Sequence, residues 1–168
     1  MPSRRAALCL VCASALAQAA CGFKLRRPPS LGFSTVLLVG FPARSAFTEE
    51  LRRSIEASGS TRVVESTAAA QVVLEALQDT REKSVAAQTA AGQVREFTLR
   101  TRLRFRLRTP AGRVLIDDTE LLLARDMSYN ETVALAKQQE EAMLYRGMQS
   151  DIVEQVMRQL AAVPKLAP

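Results

Sequence analysis

The chain has no histidine and no tryptophan. Without histidine there is no imidazole acid–base chemistry, no Ser-His-Asp triad, no Cys-His pair and no histidine metal site. Cysteine is scarce: the three residues are Cys9, Cys12 and Cys21. The first two lie in an apolar N-terminal stretch, so loss of that stretch leaves one thiol and no intramolecular disulfide. Neither standard glycine-rich phosphate loop is present, and there is no internal repeat or long low-complexity run. Aromatic residues make up only 5% of the chain. That scarcity argues against a base-stacking nucleic-acid surface, despite a formal net charge of +6.

What the chain does have at its start is an address. Arg4 and Arg5 form a basic region ahead of an apolar run over residues 6–17, which is too short to span a bilayer and is followed by small residues. Ala19, Ala20 and Cys21 then fit the end of a bacterial lipobox, with Gln18 where an aliphatic residue is usual. Residues 1–20 are therefore expected to be a lipoprotein signal, with Cys21 as the acylated first residue of the mature chain. Ordinary cleavage after Ala17-Gln18-Ala19 is the competing reading and would leave a soluble exported protein. Several acyl chains give durable anchoring where one does not. Gly22 in place of Asp favours the outer membrane. Removing Arg4 and Arg5 lowers the net charge from +6 to about +4. An exported chain does not meet nucleic acid, ATP or cytosolic metabolites.

One domain of one core follows from the length. Residues 21–34, with Pro28, Pro29, Ser30 and Gly32, read as an extended tether, residues 35–163 as the domain, and residues 164–168 as a tail. A short apolar strand is expected over residues 35–39 and a helix over residues 47–57, capped by Thr48 and stopped by Gly59. A second short strand fits residues 62–65. Longer strands fit residues 71–84, 94–108 and 113–126, separated by turns at Ala91-Gly92 and at residues 109–112, as an antiparallel meander. Residues 131–162 form the longest helical stretch. Leu144, Met148, Ile152, Val156 and Leu160 recur there at four-residue steps, Gly147 interrupts the stripe, and Pro164 ends it. The expected fold class is α+β: two helices packed on one face of a mixed, mainly antiparallel sheet of about four strands, with the other face free for a partner.

Residues 97–108 carry the clearest period-two pattern. Phe97, Leu99, Thr101, Leu103, Phe105 and Leu107 share one side of a strand; Arg100, Arg102, Arg104, Arg106 and Arg108 share the other. The apolar side belongs to the helices and the arginine side to water or a partner. A hairpin register that sets Arg104 opposite Asp118 and Arg102 opposite Glu120 would compensate two of the five charges, at roughly 0.2–1 kcal/mol each. Arg100, Arg106 and Arg108 would then have no acid directly opposite. Three readings stay open: a solvated and partly paired face, a face binding lipid phosphates through the planar guanidinium fork, or one meeting an acidic protein surface.

Several segments resemble the LptE family, the lipopolysaccharide-assembly lipoproteins of the Gram-negative outer membrane. They are Cys21-Gly22-Phe23-Lys24-Leu25-Arg26, Gly92-Gln93 with Arg95-Glu96-Phe97, Arg125-Asp126 with Tyr129, Ala134-Leu135-Ala136-Lys137, and Met148 with Asp151. The resemblance spans nearly the whole mature chain. It implies a lipid-anchored outer-membrane protein that plugs the lumen of the LptD β-barrel and takes part in inserting lipopolysaccharide into the outer leaflet. It implies LptD, lipopolysaccharide and the membrane lipid as partners, an acyl lipid on Cys21 with no other cofactor or metal, and no catalysis. Lys137, in the matching Ala-Leu-Ala-Lys segment, becomes a candidate lipopolysaccharide contact, against the plainer role of a solvated lysine. The family's other basic contacts near the Gly92 turn have no counterpart, because Ala90 and Ala91 stand there. The alternative is a purely structural lipoprotein that stabilises a barrel without touching lipid.

Overall fold

A computed structural model describes residues 30–166. The signal, Cys21 and most of the expected tether lie outside the described residues. Five strands form one sheet in the order β2-β1-β3-β4-β5. They are β1 (Thr35–Val39), β2 (Arg62–Val64), β3 (Val72–Gln88), β4 (Val94–Arg108) and β5 (Val114–Ser128); the helices are α1 (Ala46–Ala57) and α2 (Ala134–Ala161). β1 runs parallel to β2 and β3, while β3, β4 and β5 are antiparallel. The sheet is thus mixed, as expected, with a fifth strand supplied by the three-residue β2.

The two long hairpins are built alike. In Thr89-Ala90-Ala91-Gly92-Gln93 and Thr109-Pro110-Ala111-Gly112-Arg113, the glycine N–H donates to the threonine carbonyl at 2.9 Å in both, and φ is 78° at Gly92 and 92° at Gly112. A glycine in the left-handed region closing such a turn matches the twist of the flanking strands. The α1 N-cap is Ser45 rather than Thr48: the Ser45 Oγ accepts from the Thr48 N–H at 3.1 Å, and the Thr48 hydroxyl donates to the Pro42 carbonyl. At the entry to α2, Asn130 caps the Thr132 N–H at 3.0 Å, and a 3-10 turn over Glu131–Val133 precedes the helix.

Both helices lie on the face that carries the apolar, odd-numbered residues of β4. Leu103, Phe105 and Leu107 are buried with Val36 and Leu74 of the neighbouring strands, Leu51 and Ile55 of α1, and Ile152, Val156 and Leu160 of α2. Each such side chain contributes about 1.5–3 kcal/mol on leaving water. Leu99, Met127 and Met148 form a smaller cluster further along. The expected α2 stripe is buried from Met148 onward, whereas Leu144 is half-buried and Leu135 and Met143 are exposed. Gly147 has open space where a Cβ would stand, so it marks no close approach. Packing also starts earlier than the composition of residues 21–34 implied: Leu31 and Phe33 are core residues. Gly32 sits where a Cβ would come within 2.6 Å of the Val163 carbonyl oxygen, and the Leu166 N–H donates to the Gly32 carbonyl, locking the two ends of the domain together.

Candidate functional site

Five of the six arginines of β4, Arg100, Arg102, Arg104, Arg106 and Arg108, lie side by side on the sheet face away from the helices, each partly exposed. Their partners come from both neighbouring strands. Arg102 meets Glu120 at 2.8 Å, and Arg104 places its fork on both oxygens of Asp118. Arg106 and Arg108 share Glu75 of β3, at 2.8 Å and 3.4 Å. Arg100 has no ion pair among the described residues; it donates to the Ser84 Oγ at 3.1 Å, with Glu82 opposite it in register.

The β4–β5 register itself differs from the expected one by two residues. Arg104 stands opposite Glu120, and Arg102 opposite Leu122. Register shifts between Phe105, Leu107 and Arg108 beside the turn cause the slip. The long guanidinium arms reach diagonally and recover the same two partners. The acid for Arg106 and Arg108 comes from β3, on the side that the hairpin argument did not consider.

On this face of β3, β4 and β5, Glu75, Asp118 and Glu120 pair with four of the five arginines, and Glu82, Glu96 and Asp126 add three further acids. The hydrogen bond from Arg106, reinforced by Arg108, holds the Glu75 carboxyl below the ordinary range. The hydrogen bonds that Arg104 donates to Asp118 and Arg106 donates to Glu75 hold both guanidinium groups more firmly protonated. The face therefore carries arginines that are mostly paired, among at least as many acids, rather than a field of free positive charge. Arg100, with only a hydroxyl to hold it, is the member most available to an incoming phosphate.

Lys137 stands in the first turn of α2. Its Nζ bridges Ser128 at 3.0 Å and Glu140 at 2.8 Å, so it joins the helix to the end of β5. Across the sheet, the helix side of β3 holds a polar seam that periodicity alone did not reveal. Arg81 donates to Gln149 at 2.8 Å, Gln149 and Ser150 both donate to Glu50 at 2.6 Å, and Lys83 pairs with Glu141 at 2.6 Å. Arg81 lies over the Tyr145 ring, whose hydroxyl donates to the Glu82 carbonyl at 2.7 Å. A bulge between Ala76 and Gln78 inverts the alternation of β3, so the odd-numbered Arg81 and Lys83 face the helices together with the even-numbered Leu74, and simple alternation would have set them on the arginine face. Asp79 lies in the same seam, and burial pushes its carboxyl above the ordinary range against the pull of Arg81.

Residues 33–160 match the profile of the family described as LptE: Lipopolysaccharide-assembly. The chain belongs to this family. Solved structures with the same fold include an uncharacterized lipoprotein B of Nitrosomonas europaea, which shares 34% identity over 84% of this chain and 91% of that one, with a TM-score of 0.69. The rare lipoprotein B of Shewanella oneidensis shares 19% identity over 77% and 95% of the two chains, TM-score 0.65. A minor lipoprotein of Acinetobacter baumannii shares 22% over 83% and 100%, TM-score 0.62. No curated protein matched. Within this LptE-family fold, the α+β architecture leaves the paired arginine face uncovered.

Proposed function

We propose that this LptE-family lipoprotein, acylated at Cys21 and held in the outer membrane, plugs and stabilises the LptD β-barrel without catalysing a reaction and touches lipopolysaccharide as the barrel delivers it to the outer leaflet. The observation that carries the reading is the open arginine face. A sheet surface this polar, with four of its five arginines paired to acids, suits a polar barrel lumen, and its guanidinium forks can exchange a carboxylate for a lipid phosphate. Arg100 leads that exchange because it has no carboxylate to surrender. Arg102, Arg104, Arg106 and Arg108 follow, and Lys137 would have to leave Glu140.

The ion pairing also favours a second reading, in which the same face serves the barrel wall alone and never binds lipid. Lipopolysaccharide binding by the purified protein separates the two. Arg100→Glu is expected to weaken binding roughly tenfold, the equivalent of ~1.4 kcal/mol, with smaller losses for Arg104→Glu and Lys137→Glu. Unchanged affinity in all three, with LptD still copurifying, supports the structural plug. Absence of a barrel partner counts against both.

A further inference from the structure

The net positive charge of the mature chain does not reside on the arginine face, so it lies elsewhere. One end of the sheet gathers it. There β1, β2 and β3 begin, β4 ends, β5 begins and α2 ends. Hydrogen bonds tie the segments together: Leu31 N–H to Ser60, Ser34 N–H to Gln71, Arg62 N–H to the Ser34 carbonyl, and Leu166 N–H to the Gly32 carbonyl. Residues 30–34, 58–61, 70–71, 109–113 and 162–166, which make up this pole, contain no aspartate or glutamate. Arg62, Arg113 and Lys165 are exposed there, and none forms an ion pair among the described residues. Glu56, one turn back on α1, lines a surface cleft with Arg62 without pairing to it. Arg44, Arg53, Arg81, Arg95, Arg100 and Arg146 also lack ion pairs among the described residues, but they are spread over the loop before α1, α1, β3, β4 and α2. The described chain begins at this same pole with Ser30, and residues 21–29 add Lys24, Arg26 and Arg27 with no acid.

We infer that this pole rests on an anionic phospholipid surface. The inference builds on the proposal that Cys21 carries the anchor. An acyl group and a basic patch are two signals of different physical kinds, and each basic residue near an anionic bilayer adds attraction that falls off within a Debye length. The three cations that the fold fixes on this pole set the orientation of the domain as well as its retention, and the basic residues that follow Cys21 in sequence add to the attraction. With the pole on the bilayer, the Thr89–Gln93 turn points away from that leaflet, roughly 50 Å distant at about 3.3 Å per strand residue.

The test uses the mature chain from residue 21 with Cys21→Ser, so that no acyl group contributes, sedimented with vesicles. Binding is expected to vesicles containing phosphatidylglycerol, to be absent with phosphatidylcholine alone, and to fall as salt rises. Millimolar inorganic phosphate at matched ionic strength should leave it unchanged, separating a lipid surface from free phosphate. The variant Arg62→Gln, Arg113→Gln, Lys165→Gln should bind about 100-fold more weakly, at close to fivefold per cation. Arg102→Gln should bind within twofold of the parent. Arg113→Glu alone, at an exposed turn, gives an independent loss of at least fivefold should the triple variant fold poorly. Equal binding of pole variants and parent, or a larger loss from Arg102→Gln, overturns the inference. Because the assay omits acylation, its result is independent of whether the native Cys21 is lipidated; the mass of the native mature N-terminus tests that separately.

Discussion

Adjacent residues on β4 should differ sharply in what they contribute, and the pair Arg102 and Leu103 isolates this. Leu103 is 1% exposed and sits in the main cluster between the two helices and the sheet. Truncation to alanine removes three carbons and leaves a void that α2 cannot fill without shifting along its stripe. Comparable substitutions cost about 2–5 kcal/mol, a large share of the roughly 5–15 kcal/mol by which a domain is stable. At about 3–4 °C per kcal/mol for a domain of this size, the melting temperature should fall by roughly 10 °C. Arg102→Ala removes an exposed pair with Glu120 and should cost no more than about 1 kcal/mol, or roughly 3 °C. Thermal unfolding followed by circular dichroism, with urea titrations to confirm equal m-values, measures both. Equal losses at the two positions, or a larger loss at Arg102, would refute the assignment of the apolar side to the helices.

Glu75→Gln should lower stability at neutral pH, since the native carboxyl titrates below its ordinary value of 4.5. The difference from the parent should hold above that value and vanish as pH falls through the lowered one, which thermal scans from pH 7 to pH 3 would follow. Asp79 has the opposite sign: its native carboxyl is raised above the ordinary 3.8, so Asp79→Asn should melt higher than the parent at pH 7 and converge with it under acid conditions. Gly147→Ala, in mid-helix with open space around it, should stabilise by about 0.5–1 kcal/mol; a loss of stability would show that the space is occupied. Gly32→Ala should destabilise by at least about 1 kcal/mol, because the added carbon meets the Val163 carbonyl; unchanged stability would mean that the C-terminal strap yields freely.

The fold was legible where one periodicity ran unopposed. β4 alternates through a dozen residues, and the stripe from Met148 to Leu160 has a single apolar face, so both were readable along with the side each presents. β3 was harder because Arg81 and Lys83 occupy its helix-facing side, where their partners Gln149 and Glu141 come from a helix 58 or more positions away. No local pattern encodes such a pairing. The ion pairs of the arginine face were half legible. The acids of β5 lie across one short turn, but Glu75 lies across the other hairpin and serves two arginines. The slipped register was not readable, because it depends on bulges beside the turn. Likewise Leu31 and Phe33 join the core through the α2 C-terminal strap, which the proline-rich composition before them concealed.

Site-specific photocrosslinking in cells tests the account most directly. A photoreactive residue replacing Leu122, exposed on the arginine face, should crosslink to LptD, identified by mass spectrometry. The same probe at Arg158, on the outer side of α2, serves as the comparison and should crosslink less. Crosslinks to LptD confined to the helix side, or none from either face in cells that export lipopolysaccharide normally, would contradict the claim that the arginine face is the one turned toward the barrel.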